Sequence, residues 1–87
     1  ETLPENIMGI SCLNSYKVAY KNHKSHKAFS YAREVKTGKD RCGWGYGSET
    51  IEEAKKLAMK QCTEHNLNAE CHIVDEDGKF VVKKGDY

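Results

Sequence analysis

The chain has 87 residues, 38% of them hydrophobic, so about 33 apolar side chains are available, enough for one core and too few for two. Fourteen Lys and Arg against thirteen Asp and Glu leave a formal charge of +1, which excludes a strongly basic nucleic-acid footprint and a strongly acidic field, and no apolar run is long enough to span a bilayer. Four cysteines, about one residue in 22, fit two staples on a domain with its own core better than a knottin-like scaffold.

The N-terminal stretch, residues 1–26, has a mixed pattern. Pro4 can open a helix, and Ile7, Ile10, Leu13, Tyr16, Val18 and Tyr20 are read as one helix that leaves through Asn22 to His26. Residues 27–84 carry the strong periodicity and are expected to form a single α+β domain, with 85–87 a flexible tail. Within it, residues 28–32 alternate small with aromatic and residues 42–47 alternate large with glycine, the period of two that predicts strands. The polar connection between them contains the turn residue Gly38, so a hairpin is the simplest link.

Thr50 followed three residues later by Glu53 is a capping box and predicts a helix start. Glu52 and Glu53 suit its positive end, and Glu52 to Lys56 is an i,i+4 pair worth about 0.3 kcal/mol. Ile51, Ala54, Ala58 and Cys62 form one narrow stripe of mostly small side chains, and His65, Asn66 and Asn68 mark the expected end. Beyond them, residues 71–74 and 80–82 flank Asp77-Gly78, a dipeptide suited to a tight hairpin turn that sets Val74 opposite Val81 and Ile73 opposite Val82. The expected order is β-β-α-β-β: a small antiparallel sheet with one main helix packed on it, a helical N-terminal segment, and disulfide staples.

An even cysteine count without a C-x-x-C pair points to disulfides in an oxidising compartment rather than to zinc or a thioredoxin-type centre. Three connectivities are open. Cys62 ends the helix stripe and Cys71 opens the next strand, so these two are placed to bond, which leaves Cys12 with Cys42 by remainder. With all four paired, no cysteine nucleophile is left.

Phe29, Tyr31, Trp44 and Tyr46 fall on one face of the first hairpin, and Ala28, Ser30, Ala32, Gly43, Gly45 and Gly47 on the other. Either the aromatics are the core and the small face meets solvent, or the small face seats the Ala54 and Ala58 stripe and the rings stand on the outside. In the second case they form a candidate binding face for a protein, peptide or cell-wall glycan, or for a second copy of the chain, unless the N-terminal helix, held by Cys12 to Cys42, covers them. The run from Gly43 to Gly47 lacks the spacing and the parallel strand of a dinucleotide loop.

His23 and His26, three apart, are a weak candidate metal pair without a third ligand, and His72 is expected at the surface. Asp75, Asp77 and Gly78 begin like a calcium loop but lack the closing glutamate, so they are read as a turn, across which Glu76 and Lys79 can pair. Eight Lys and Arg among residues 17–41 make a basic surface near Tyr and Trp, yet the near-zero net charge and the expected disulfides argue against nucleic acid as a partner.

Lys27-Ala28-Phe29-Ser30-Tyr31-Ala32, then Gly43-Trp44-Gly45-Tyr46-Gly47, then Ala54, Ala58 and Cys62, then Cys71-His72-Ile73-Val74, together resemble an uncharacterised group of small secreted bacterial domains: a KAFAYA-like strand, a GWGxG-like strand, an Ala-rich helix ending in Cys and a Cys-containing strand. The resemblance spans about 50 residues, and it implies an exported bacterial protein, a Cys62 to Cys71 bridge and no catalytic residues to carry over. Cys42 and the basic connector from Arg33 to Arg41 depart from it. The expected function is a periplasmic or secreted, non-enzymatic binding module whose signal peptide has been removed, with no cofactor. The alternatives are an envelope enzyme or enzyme inhibitor and, less favoured, a metal-capture protein using His23 and His26.

Overall fold

The computed structural model describes residues 8–34, 36–64 and 70–81. The expectations on Pro4, Ile7, His65, Asn66, Asn68, Val82 and the tail 85–87 lie outside these residues.

The chain begins with one continuous helical segment, α1, wound as an α-helical stretch Ile10–Asn14, a wider π stretch Ser15–Ala19 and a 3-10 turn Tyr20–Asn22. Cys12, Tyr16 and Tyr20 are buried along it, and Met8, buried just before it, continues the same spacing of four. At 3.6 residues per turn such a stripe drifts around the axis, and the π stretch holds Tyr16 and Tyr20 on the same side as Cys12. Ile10 and Val18, which the apolar pattern places among the packing residues, point to solvent instead, at 81% and 65% exposure.

Strands β1 (Ala28–Arg33) and β2 (Asp40–Gly45) form the expected antiparallel hairpin, with Phe29 opposite Trp44 and Tyr31 opposite Cys42. Helix α2 (Ile51–Thr63) starts as expected: the Glu53 backbone N–H donates to Thr50 Oγ1 over 3.2 Å. Strands β3 (His72–Glu76) and β4 (Lys79–Phe80) close the other hairpin, and the Val81 N–H donates to the Val74 carbonyl, the register that the Asp77-Gly78 turn demands. Asp77 and Gly78 both take positive φ, 55° and 92°. Glu76 lies across from Lys79 in the ladder but forms its ion pair with Lys55 of α2, over 3.0 Å.

The four strands order as β2-β1-β3-β4 in one antiparallel sheet between two helical layers. The small face seats α2: Ala28, Ala54 and Ala58 are fully buried together, and Cβ atoms added at Gly43 and Gly45 would stand 2.5 Å from the carbonyl oxygens of Ala58 and Ala54. Ser30 Oγ, in the same face, donates to the Ala58 carbonyl over 2.6 Å. Ala28, Ser30, Ala32, Gly43 and Gly45 of the small face are therefore closed off from solvent, whereas Gly47, expected among them, lies beyond the end of β2 and is exposed. The aromatic face carries the larger core, in which Met8, Cys12, Tyr16 and Tyr20 of the N-terminal segment pack on Phe29, Tyr31 and Val74. Disulfides join Cys12 to Cys42 and Cys62 to Cys71, and no cysteine is free. The first ties α1 to β2 and the second ties the end of α2 to the entry of β3.

Candidate functional site

The four hairpin aromatics share one side of the sheet, but they are not one open surface. Phe29 and Tyr31 are fully buried beneath α1. This corrects the reading of Phe29, Tyr31, Trp44 and Tyr46 as a contiguous binding face, and with it the idea of a dimer through that whole face. The Phe29 ring meets Tyr16 and Tyr20 edge-on, with both centroid separations 5.3 Å. What α1 leaves uncovered is the margin at β2. Trp44 is half-buried, stacked on Phe29 at 5.6 Å and 9°, and Tyr46, just past the strand end, is 50% exposed.

Tyr46 is held in place. Its ring lies flat against His23 at 3.6 Å between centroids and 3° between planes. The connector from α1 to β1 thus supplies His23 as a side wall, and Trp44, Tyr46 and His23 form a short aromatic rim. His26, the other histidine of the connector, turns to the β3–β4 turn, where its Nδ1 lies 3.9 Å from Asp77 Oδ2. The two histidines of the weak candidate metal pair thus have different neighbours, and among the described residues no group of three or more His, Cys, Asp or Glu side chains is arranged to hold a metal ion. His72 is exposed on β3.

Behind the rim sits a polar network that the sequence periodicity does not single out. Asp75 is fully buried and accepts three hydrogen bonds, from Tyr16 Oη at 2.6 Å, Tyr20 Oη at 2.5 Å and the Gly78 N–H at 2.8 Å. An irregularity in the β1–β3 pairing, where Phe29 opposes Asp75 but Ser30 opposes Ile73, makes this possible. The extra residue breaks the alternation, so Val74 and Asp75 both serve the α1 side while Ile73 packs with α2. Burial first, and then the bond to Asp75, push the Tyr20 hydroxyl far above the ordinary tyrosine range. Tyr31 is raised in the same way, by burial and then by its 2.6 Å hydrogen bond to Asp40 Oδ2, an oxygen that also accepts the Gly9 N–H.

Lys27, 8% exposed, completes this side by donating from Nζ to the Lys21 and His23 carbonyls at the end of α1, at 3.0 and 2.9 Å. No buried side-chain nitrogen or oxygen among the described residues lacks a hydrogen-bond partner. The network is thus internally satisfied, and it fastens α1 to the sheet. Its signal in the sequence is slight: an aspartate following Ile73-Val74 in a strand, and two tyrosines four apart in the N-terminal stretch.

Comparison with protein-family models, with curated proteins and with solved structures gives no match. No helix among the described residues is long and apolar enough to cross a membrane. The two disulfides are of a kind that forms and persists in oxidising surroundings.

Proposed function

We propose that this chain is a small exported, non-enzymatic interaction module of the periplasm or the extracellular space, and that it meets its partner at the Trp44, Tyr46 and His23 rim rather than across the whole hairpin face. The observation that carries this reading is Tyr46: half of a large aromatic side chain stands in solvent while its plane is fixed by stacking on His23. A ring already immobilised loses little rotamer freedom when a ligand stacks on it, which is why aromatic anchors recur in binding surfaces. The two disulfides support the compartment, and the resemblance to small secreted bacterial domains agrees with it.

Soluble cell-wall fragments that carry both sugar and peptide probe the two main ligand chemistries together. Titrated into isotopically labelled protein, they are expected to shift the resonances of His23, Trp44 and Tyr46 first, and the Tyr46→Ala variant is expected to lose that response while keeping its fold. Saturating fragment with no change at these three residues contradicts the proposal.

A further inference from the structure

We infer that the outer edge of β2, which no described strand pairs, is a self-association surface, where a second copy of this chain adds its own β2 in antiparallel register about Gly43. This goes beyond the proposed function and does not depend on it.

Strand β2 ends the sheet, and its ladder with β1 fixes which backbone groups face outward. The Glu34 N–H donates to the Lys39 carbonyl, so the pairs that exchange bonds with β1 continue at every second residue through Arg41, Gly43 and Gly45. Cys42 and Trp44 therefore point their N–H and C=O groups away from β1. The Trp44 N–H confirms the parity, because it donates across the edge to Gln61 Oε1 of α2 at 3.1 Å. A glutamine carboxamide is chemically a peptide group, and here it stands where the carbonyl of a neighbouring strand would stand.

The outward groups of Cys42 and Trp44 lie symmetrically about Gly43. A twofold axis there sets Cys42 opposite Trp44 of the second copy and Trp44 opposite its Cys42, so each pair can exchange two hydrogen bonds. Between them Gly43 would face its own counterpart as the close, non-bonded pair, with no side chain to obstruct it. The same axis places the two α2 helices on one side of the joined sheet, antiparallel, with opposed dipoles. Their facing flanks carry Gln61 and, one turn earlier, Leu57, an apolar residue 46% exposed beside the edge at Gly45. Among the described residues the opposite edge is shorter, with β4 spanning Lys79–Phe80. Strand edges left open are templates for pairing, and along the described edge of β2 side chains cap two outward groups, Gln61 on the Trp44 N–H and Arg41 Nη1 on the Asp40 carbonyl at 2.8 Å.

Gln61 thereby competes with the second copy for the Trp44 N–H, and this gives the test its direction. Sedimentation equilibrium and concentration-dependent amide shifts of the oxidised full chain are the measurements. Expected are a weak, reversible monomer–dimer equilibrium with shifts centred on the Cys42 and Trp44 amides, tighter by several-fold in Gln61→Ala and weaker by about tenfold in Leu57→Glu, a change of about 1.4 kcal/mol. Circular dichroism confirms that both variants keep the fold. The inference is overturned if wild type and Gln61→Ala are both monomeric at millimolar concentration, if Gln61→Ala weakens association, or if the shifts fall on the outer face of α1 at Ile10 and Val18.

Discussion

Asp75 is where the N-terminal helix is anchored chemically. A fully buried carboxylate is costly unless its oxygens are satisfied, and here two tyrosine hydroxyls from α1 and one backbone N–H from the β3–β4 turn satisfy it. Tyr20→Phe removes one donor from a charged acceptor and is expected to lower stability by about 1.5–3 kcal/mol in denaturant unfolding, without changing the Tyr46 environment. On the other side of the sheet the tight element is backbone. A Cβ at Gly43 meets the Ala58 carbonyl and the Cys62 amide nitrogen, 2.5 and 2.7 Å away, so Gly43→Ala forces α2 off the sheet and is expected to cost about 1–3 kcal/mol in the same measurement.

At the scale of elements, α1 is a cover fastened at three points: the Cys12–Cys42 disulfide, the Asp75 network, and Lys27 on its terminal carbonyls. In the chain-entropy view the 9-residue separation of Cys62 and Cys71 is worth about 2.5 kcal/mol and the 30-residue separation of Cys12 and Cys42 about 3.5 kcal/mol. The paired Cys12→Ser, Cys42→Ser variant is therefore expected to lose the larger share of stability and to show faster amide exchange in α1 than in α2, with increased binding of a hydrophobic dye. Equal exchange in both helices argues against α1 as a separately fastened cover.

The elements themselves are largely legible in the amino-acid sequence. The Thr50 and Glu53 box, the alternation at 28–32 and 42–47 and the Asp77-Gly78 turn are local signals of their elements, though the second strand runs over Asp40–Gly45 and leaves Tyr46 and Gly47 beyond its end. The packing of α1 is not legible residue by residue, because its winding changes at Ser15 and an apolar pattern taken at 3.6 residues per turn selects Ile10 and Val18, both exposed, alongside the buried Tyr16 and Tyr20. Which hairpin aromatics stay exposed is hidden for a related reason: period two shows which of them share a side, but only tertiary packing shows that α1 lies over Phe29 and Tyr31. Asp75 escapes because the pairing irregularity that turns it inward depends on β1, a strand more than forty residues earlier.

For the molecule as a whole, the pH dependence follows from the buried hydroxyls. Tyr20 and Tyr31 are held above the ordinary tyrosine value of 10.0, so they stay protonated in the fold where the unfolded chain begins to ionise. Above that value the unfolded state binds fewer protons, and stability that is intact below it falls as pH rises, by up to about 1.4 kcal/mol per pH unit for each tyrosine. Denaturant unfolding near pH 8 and near pH 11 is expected to differ by about 3 kcal/mol, a gap that narrows by about half in Tyr20→Phe.

Three of the four described tyrosines, Tyr16 and Tyr20 of α1 and Tyr31 beneath it, are interior together with Phe29, while Tyr46 marks the outside. Nitration of the native, oxidised protein with tetranitromethane, read by peptide mass mapping, tests it most directly. Rapid modification is expected at Tyr46, with protection at Tyr16, Tyr20 and Tyr31 until the chain is unfolded. Modification of Tyr31 or Tyr16 at the rate of Tyr46 in the native protein would contradict it.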